Sequence, residues 1–265
     1  MTGPDGPVIN SGVAMVKEDL YEKAAGLISG SKMTVALTGA GISTPSGIPD
    51  FRSPVSGLWE KVDPVEVATI DAFLKKPDKF FAFMEPISQM MDTAMPNAAH
   101  ETLASWESRG LLHSVITQNI DNLHQKAGSM NVLELHGNAR RAFCMKCRRE
   151  YTPEQLKEKL KAASVPYCDC EKMGIIKPDV ILFGEQLPFQ TLLQAEQDAK
   201  ECEVMVVVGS SLTVTPASML PQIAIQGGAK VIVVNLQRTY IDSAAEVVLN
   251  EKIEIALPEI AARTN

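Results

Sequence analysis

An α/β fold, a doubly wound parallel sheet interrupted by a small inserted module and a helical insertion, is what this sequence predicts. Three observations predict it. Short apolar runs alternate with helical segments through the C-terminal third, and that alternation implies parallel βαβ units. An earlier run, Met33–Leu37, leads directly into Gly39-Ala40-Gly41. Four cysteines fall within residues 144–170 and break the rhythm. The length of 265 residues allows one to two domains at ~150 residues each.

In chain order, residues 1–12 are rich in Gly, Pro and Ser and read as a disordered tail. From Val13 to Ile28 apolar residues recur at helical spacing, and Gly30 suits the stop. Met33–Leu37 reads as a buried strand, with a helix start after the glycines. Pro45, Pro49, Pro54, Gly47 and Gly57 leave 45–60 as a long loop without regular elements, of a length that implies function. Residues 64–109 read as several helices, with Pro64, Pro77 and Pro96 in first turns. Leu111–Ile116 and Val132–Leu135 read as strands, Pro153–Ala162 as an amphipathic helix, and Val180–Phe183 as a further strand. Then come helix 188–200, strand 203–208, helix 216–226, strand 230–235, strand 246–248 and helix 252–263. The resulting organisation is a large domain of 13–137 and 180–265 and a small module of 138–179, with the helical insertion 64–109 completing the small domain.

Composition excludes several classes. Thirty-two acidic against 25 basic residues give a net charge of −7, unlike the basic footprint of a nucleic-acid binder. The longest apolar runs, such as Val204–Val208, fall far short of the ~20 residues of a membrane span. Met1–Asn10 lacks a basic-then-apolar leader. Five cysteines, an odd number and clustered, fit a reducing compartment, so a cytoplasmic location is expected.

A strand running into Gly39-Ala40-Gly41 has the geometry of a nucleotide phosphate site in a Rossmann-like sheet. A third glycine would stand at position 44, where this chain has Thr44, so a plain strand–helix turn stays open. Two further strand ends, at Gly209-Ser210-Ser211 and at Asn235, add small polar groups on the edge where parallel sheets bind ligands. Asp50-Phe51-Arg52 reads either as part of a loop closing over a nucleotide or as a surface ion pair. Thr117–Asn122 is a polar strand end, suited to a site or to a helix cap. His136 follows a strand and is a general-base candidate, with a structural role as the alternative. His100, His113 and His124 read as structural. Cys144-x-x-Cys147 and Cys168-x-Cys170, 20 residues apart, carry the spacing of a tetrahedral Zn²⁺ site; an empty site or a redox pair are the competing readings. Four thiolates leave no open position, so such a metal is structural. Cys202 reads as a small buried hydrophobe.

Gly39–Arg52, Thr117–Asp121, His136-Gly137 and Phe183-Gly184-Glu185 stand in the order found in the sirtuins, and the chain resembles that family over residues 20–258. The resemblance implies a minimal, prokaryotic-type NAD-dependent protein-lysine deacetylase acting on an acyl-lysine protein or peptide. It implies that Gly39, Ala40, Gly41, Ser43, Thr44, Asp50, Phe51 and Arg52 bind the cofactor. Gln118, Ile120 and Asp121 then line the ribose and nicotinamide pocket, and Asn119 orients ribose or a water. Gly209, Ser210 and Ser211 contact phosphate and ribose, while Asn235, Leu236 and Ile253 flank the adenosine. His136 is the general base, and Ile181, Phe183 and Gly184 flank the acyl-lysine. The implied products are nicotinamide, deacylated lysine and O-acetyl-ADP-ribose.

A hydride-transferring dehydrogenase is disfavoured by Thr44 and by the absence of an acidic residue ending a second strand ~20 residues on. A zinc-containing adaptor, mono-ADP-ribosyl transfer and longer-chain deacylation are the other readings. Sirtuins that remove acidic acyl groups carry a Tyr and, three residues later, an Arg on a helix; Met84 and Ile87 stand at the matching positions here. The alternative is that both are simply helix-core residues.

Overall fold

The structure is a computed structural model that describes residues 17–51, 57–60 and 62–264. The expected tail 1–12, the start of the first helix and Arg52 lie outside the described residues. The helices are α1 (Lys17–Gly30), α2 (Pro64–Val67), α3 (Ile70–Lys75), α4 (Pro77–Thr93), α5 (Ala98–Ser108), α6 (Leu123–Ala127), α7 (Pro153–Ala162), α8 (Phe189–Glu201), α9 (Leu220–Gln226) and α10 (Ile253–Ala261). The strands are β1 (Thr34–Thr38), β2 (Ser114–Thr117), β3 (Val132–Glu134), β4 (Gly137–Cys144), β5 (Glu150–Tyr151), β6 (Ile176–Val180), β7 (Val204–Val208), β8 (Lys230–Val234) and β9 (Val247–Leu249).

Six strands form one parallel sheet in the order β3-β2-β1-β7-β8-β9. The chain winds outward from β1 to one edge, then returns to β7 and winds to the other, which defines a doubly wound sheet with its switch point between β1 and β7. Alternate residues of each strand enter different cores. Ala36, Val206, Val208 and Ile232 pack with Tyr21 and Ile28 of α1, Trp106 of α5 and Leu257 of α10. Val35, Leu37, Met205, Val207 and Val233 pack with Ala195 and Ala199 of α8 and Ala224 of α9. Burial on both faces is why these strands read as unbroken apolar runs.

A second sheet, in the order β5-β4-β6, is antiparallel and carries the cysteines. The expected strand Val180–Phe183 is corrected here. The strand is Ile176–Val180, and it belongs to this small sheet. Val180 and Leu182 are buried in a cluster with Phe73, Phe80 and Phe81, so the apolar pattern runs on past the strand's end. Three edge-to-face ring contacts, with centroids 5.0–5.9 Å apart, join those phenylalanines and pack α3 and α4 near the small sheet. Helix α7 starts where the sequence places it, because Thr152 and Gln155 form a reciprocal capping box with Pro153 in the first turn.

Other boundaries differ for local reasons. The helix expected after the glycines is a 3₁₀ turn, Ala40–Ser46, stopped by Gly47 at φ 88°. A short 3₁₀ turn, Leu58–Glu60, interrupts the expected loop. Pro96 stands before the helix, since Asn97 caps α5. Residues 111–113 are consumed by the turn closing α5, with Leu111 and Leu112 N–H bonding Trp106 O, so β2 begins at Ser114.

His100 and His124 are fully buried, their rings 4.9 Å apart. His124 Nε2 bonds Thr38 Oγ1 at 2.9 Å, and Thr38 Oγ1 donates to Thr117 Oγ1 at 2.8 Å. The ring therefore donates, and it braces the ends of β1 and β2 together. Burial pushes His100 down to about 4 and His124 down to about 3, His100 adding to the latter. An unfolded chain protonates both rings from pH ~6.5 downward, whereas the folded protein does so only near 4 and 3. Their contribution is complete above pH 6.5 and is lost as pH falls. Urea unfolding should show these rings removing about 3 kcal/mol between pH 6.5 and 5. The H124Q substitution should remove roughly half of that slope; an unchanged slope would show that the rings do not govern it.

Candidate active site and cysteine cluster

The switch point is closed by backbone against backbone. Gly41 N–H donates to Gly209 O at 2.8 Å, and Gly39 N–H to Val208 O at 3.1 Å. A Cβ on Gly41 would stand 2.7 Å from Gly209 O. One on Gly209, which has φ 58°, would stand 2.4 Å from Ile42 N. Only glycines allow the β1 and β7 turns to interlock this closely.

Above them lies a cavity of about 620 Å³. Its lining takes in the ends of β8 (Asn235, Leu236), β7 (Gly209–Ser211), β1 (Gly39–Gly41) and β2 (Gln118–Asp121), together with His136 after β3. These are five neighbouring strands, and four spacings of ~4.8 Å make a trough about 19 Å long. Ser43, Thr44, Asp50, Phe51, Ile181, Phe183, Gly184 and Ile253 line it as well. Every described residue singled out above as a cofactor or substrate contact thus faces one cavity. Leu58 N–H bonds Asp50 O at 3.0 Å.

A polar network crosses the strand ends. Asn119 Nδ2 donates to Gly39 O at 3.2 Å and to Ser43 Oγ at 3.1 Å. Ser43 Oγ donates to Asp121 Oδ2 at 2.7 Å, and Leu123 N–H to Asp121 Oδ1 at 2.9 Å. Burial raises the Asp121 carboxyl above its ordinary value, and these two donors counter it. Gln118 Nε2 donates to Ser210 Oγ at 2.9 Å, joining β2 to β7. The Gln118 carbonyl faces His136 Nδ1 at 3.0 Å. A carbonyl only accepts, so the proton sits on Nδ1 and the lone pair on Nε2. This orients the imidazole as a base.

The cavity has an apolar arm lined by Ile48, Leu58, Phe83, Met84, Ile87 and Met91, of which the sequence singles out only Met84 and Ile87. Its signal is the spacing 83, 84, 87, 91 on α4, which a core stripe would share. Met84 and Ile87 both line the cavity, and Glu85 is exposed and outside its lining.

Three comparisons bear on this arrangement. The family model described as "Sir2 family" matches residues 39–216. The chain belongs to the Sir2 family. It is 46% identical over 242 residues to a protein of Saccharolobus solfataricus called "NAD-dependent protein deacetylase", covering 91% of this chain and 96% of that one. A solved Sir2 structure with a deacetylated p53 peptide and 3′-O-acetyl ADP ribose superposes with a TM-score of 0.88 at 41% identity, covering 91% of this chain and 97% of that one. A Sir2–p53 peptide–NAD⁺ structure gives 0.83 at 41% identity, covering 89% and 95%.

In this sirtuin the four cysteine sulfurs Cys144, Cys147, Cys168 and Cys170 lie within 4.8 Å of one another. Cys144 Sγ is 3.9 Å from Cys170 Sγ, and Cys147 Sγ is 3.6 Å from Cys168 Sγ. A tetrahedron with Zn–S bonds of ~2.3 Å has edges of about 3.8 Å, so the donor set fits one zinc ion despite the short Cys168-Asp169-Cys170 spacing. The separations also exceed a disulfide bond, against the redox-pair reading. Lys146 and Cys147 N–H approach Cys144 Sγ at 3.4 Å, and Tyr151 Oη donates to Cys168 Sγ at 3.0 Å, as thiolates require. Cys202 is buried apart from them, its thiol pushed up to about 12 by burial. Elemental analysis should find one zinc per chain. Cys168→Ser should release it and lower the melting temperature by about 10 °C or more; metal-free protein of unchanged stability would overturn the assignment.

Proposed function

We propose that this sirtuin is an NAD-dependent protein-lysine deacetylase that moves the acetyl group of a modified lysine onto ADP-ribose. The observation that carries the reading is His136, held by the Gln118 carbonyl as a base and lining the same cavity as the interlocked glycine turns. NAD supplies, when bound, a ribose carbon from which nicotinamide is displaced by the acyl oxygen and a hydroxyl that carries the acyl group away. His136 Nε2 takes the proton of that hydroxyl. Asn119, fixed by Gly39 O and Ser43, orients the ribose or a water beside it. Gly39–Gly41, Thr44, Gly209, Ser210 and Ser211 hold the phosphates and ribose, with Phe51 and Arg52 in the covering loop. Asn235, Leu236 and Ile253 flank the adenosine end. Asp121, Ile120 and Gln118 shape the nicotinamide end.

An extended acyl peptide adds as a strand along Ile181–Gly184. On one side that segment is held by Ile181 N–H on His136 O and Phe183 N–H on Ala68 O, both at 2.9 Å, while Leu182 between them bonds Glu185. Cys144, Cys147, Cys168 and Cys170 hold a structural zinc with no position for chemistry. We read residues 13–137 and 180–265 as the nucleotide domain, with 138–179 and the helices of 64–109 as the small domain. The packing of Phe73 and Phe80 beside Leu156 and Ile175 supports this for α3 and α4, while Trp106 draws α5 to the large core. Among the described residues no helix is long and apolar enough to cross a membrane. A cytoplasmic location is our reading from the odd, clustered cysteines.

The decisive experiment is incubation with NAD and an acetyl-lysine peptide, followed by mass spectrometry. Nicotinamide, deacetylated peptide and O-acetyl-ADP-ribose should appear in equal amounts. ADP-ribose left on protein would favour transferase activity, and acetate released without NAD loss would refute the reading. His136→Ala should lose about 10²–10⁴ in turnover while still binding the acetyl peptide. Near-normal turnover would show that another group is the base.

The apolar arm also has room for acyl chains longer than acetyl and disfavours acidic ones, because Met84 and Ile87 cannot hold a carboxylate. In competition between acetyl and succinyl forms of one peptide, kcat/KM should favour acetyl by at least about tenfold, or ~1.4 kcal/mol. Equal rates would mean that this face of α4 does not set acyl choice.

A further inference from the structure

We propose that the Lys177–Glu185 ion pair, a buried lysine on a half-buried carboxylate, is a positioning device that holds the segment flanking the acyl-lysine, Ile181–Gly184, and thereby sets affinity for the acyl peptide. The proposal rests on the deacetylase reading and deepens it.

Lys177 lies on β6 and is only 9% exposed, a rare state for a lysine without compensating partners. Its ammonium donates to Val180 O at 2.5 Å, with Pro178 O at 3.4 Å, and lies 2.9 Å from Glu185 Oε2. The same carboxylate oxygen accepts Leu182 N–H at 2.8 Å, and Glu185 N–H returns to Leu182 O at 3.0 Å. One oxygen therefore joins the lysine to the middle of the segment, while the lysine itself grips Val180 at its start.

The remaining backbone donors are taken in turn. Ile181 N–H goes to His136 O and Phe183 N–H to Ala68 O, and Phe183 O accepts Ile70 N–H at 3.0 Å. Gly184 turns the chain with φ 90°. The pair thus closes a small ring of contacts around a segment bonded directly to the main chain of His136. A segment fixed before the peptide arrives loses less conformational entropy on binding. Glu185 lines the cavity on the peptide side, whereas the glycine turns that receive the nucleotide make no contact with the pair. Removing one charge leaves the other poorly solvated and frees the Leu182 end of the segment. The consequence falls on the peptide and spares NAD.

Steady-state kinetics and calorimetric titration with an acetyl-lysine peptide test this. Lys177→Met should raise the peptide KM and Kd at least tenfold, with kcat and the NAD KM changed less than threefold. Glu185→Gln should do the same, and the double variant should be no worse than the poorer single, since the two act as one unit. Glu185→Asp keeps the charge on a shorter stem and should fall between wild type and Glu185→Gln, which keeps the test alive if a neutral variant does not fold. A peptide KM within twofold of wild type in Lys177→Met would overturn the proposal. So would an equal loss of NAD and peptide affinity, the mark of a merely structural pair. Wild-type protein that binds the peptide but does not deacetylate it with NAD would sink the deacetylase reading, and the titrations would still judge the ion pair.

Discussion

The site depends on one close approach, that of the β1 turn to the β7 turn. Gly41 N–H on Gly209 O brings two main chains to a distance that no side chain tolerates. Because β1 and β7 are central neighbours, this contact fixes the floor of the trough, and its other walls are hung from it. Asn119 reaches Gly39 O, and Gln118 reaches Ser210. The β2 end is thus tied to both glycine turns, and His136 is tied to the β2 end through the Gln118 carbonyl. The His136 imidazole is positioned by a relay of hydrogen bonds that starts at the two glycine turns.

Burial governs the electrostatics of this edge. Desolvation raises the Asp121 carboxyl, and Ser43, Leu123 and the charge of Lys126 counter part of that rise. His100 and His124, packed ring to ring, are stripped of water and held neutral. Charging His124 would add a proton at Nδ1, a buried atom with no hydrogen-bond partner among the described residues, beside the Thr38–Thr117 brace on which the strand ends rely. Neutral groups form the scaffold, and charge is kept for the cavity wall.

Much of this was legible because sequence and burial coincide. The central strands are apolar on both faces, so β1, β7 and β8 stand out as continuous runs. Gly39-Ala40-Gly41 marks a turn whose geometry leaves no other choice of residue, and Thr152 with Gln155 writes the start of α7 into four positions. Other features had no such signature. β4 mixes buried and exposed residues around a bulge, so Gly137–Cys144 lacks a clean alternation. The end of β6 was misplaced because Leu182 is as buried as Val180 and packs in the same cluster beyond the strand's end. The apolar arm was hidden because a helical stripe facing a cavity has the same spacing as one facing a core. The Lys177–Glu185 pair spans eight positions with no periodic relation, and only the folded chain brings it together.

The small sheet leaves and rejoins the large domain at a single place. Gly137, where β4 begins, pairs with Val180, where β6 ends, and a Cβ on Gly137 would stand 2.0 Å from Asp179 O. Entry and exit are therefore stitched together before the metal-binding end of the module is reached. Whatever lies beyond that stitch can lengthen, shorten or be exchanged without shifting the register of the parallel sheet. The fold has in effect a socket, in which the outer lobe is seated independently of the trough over the parallel sheet.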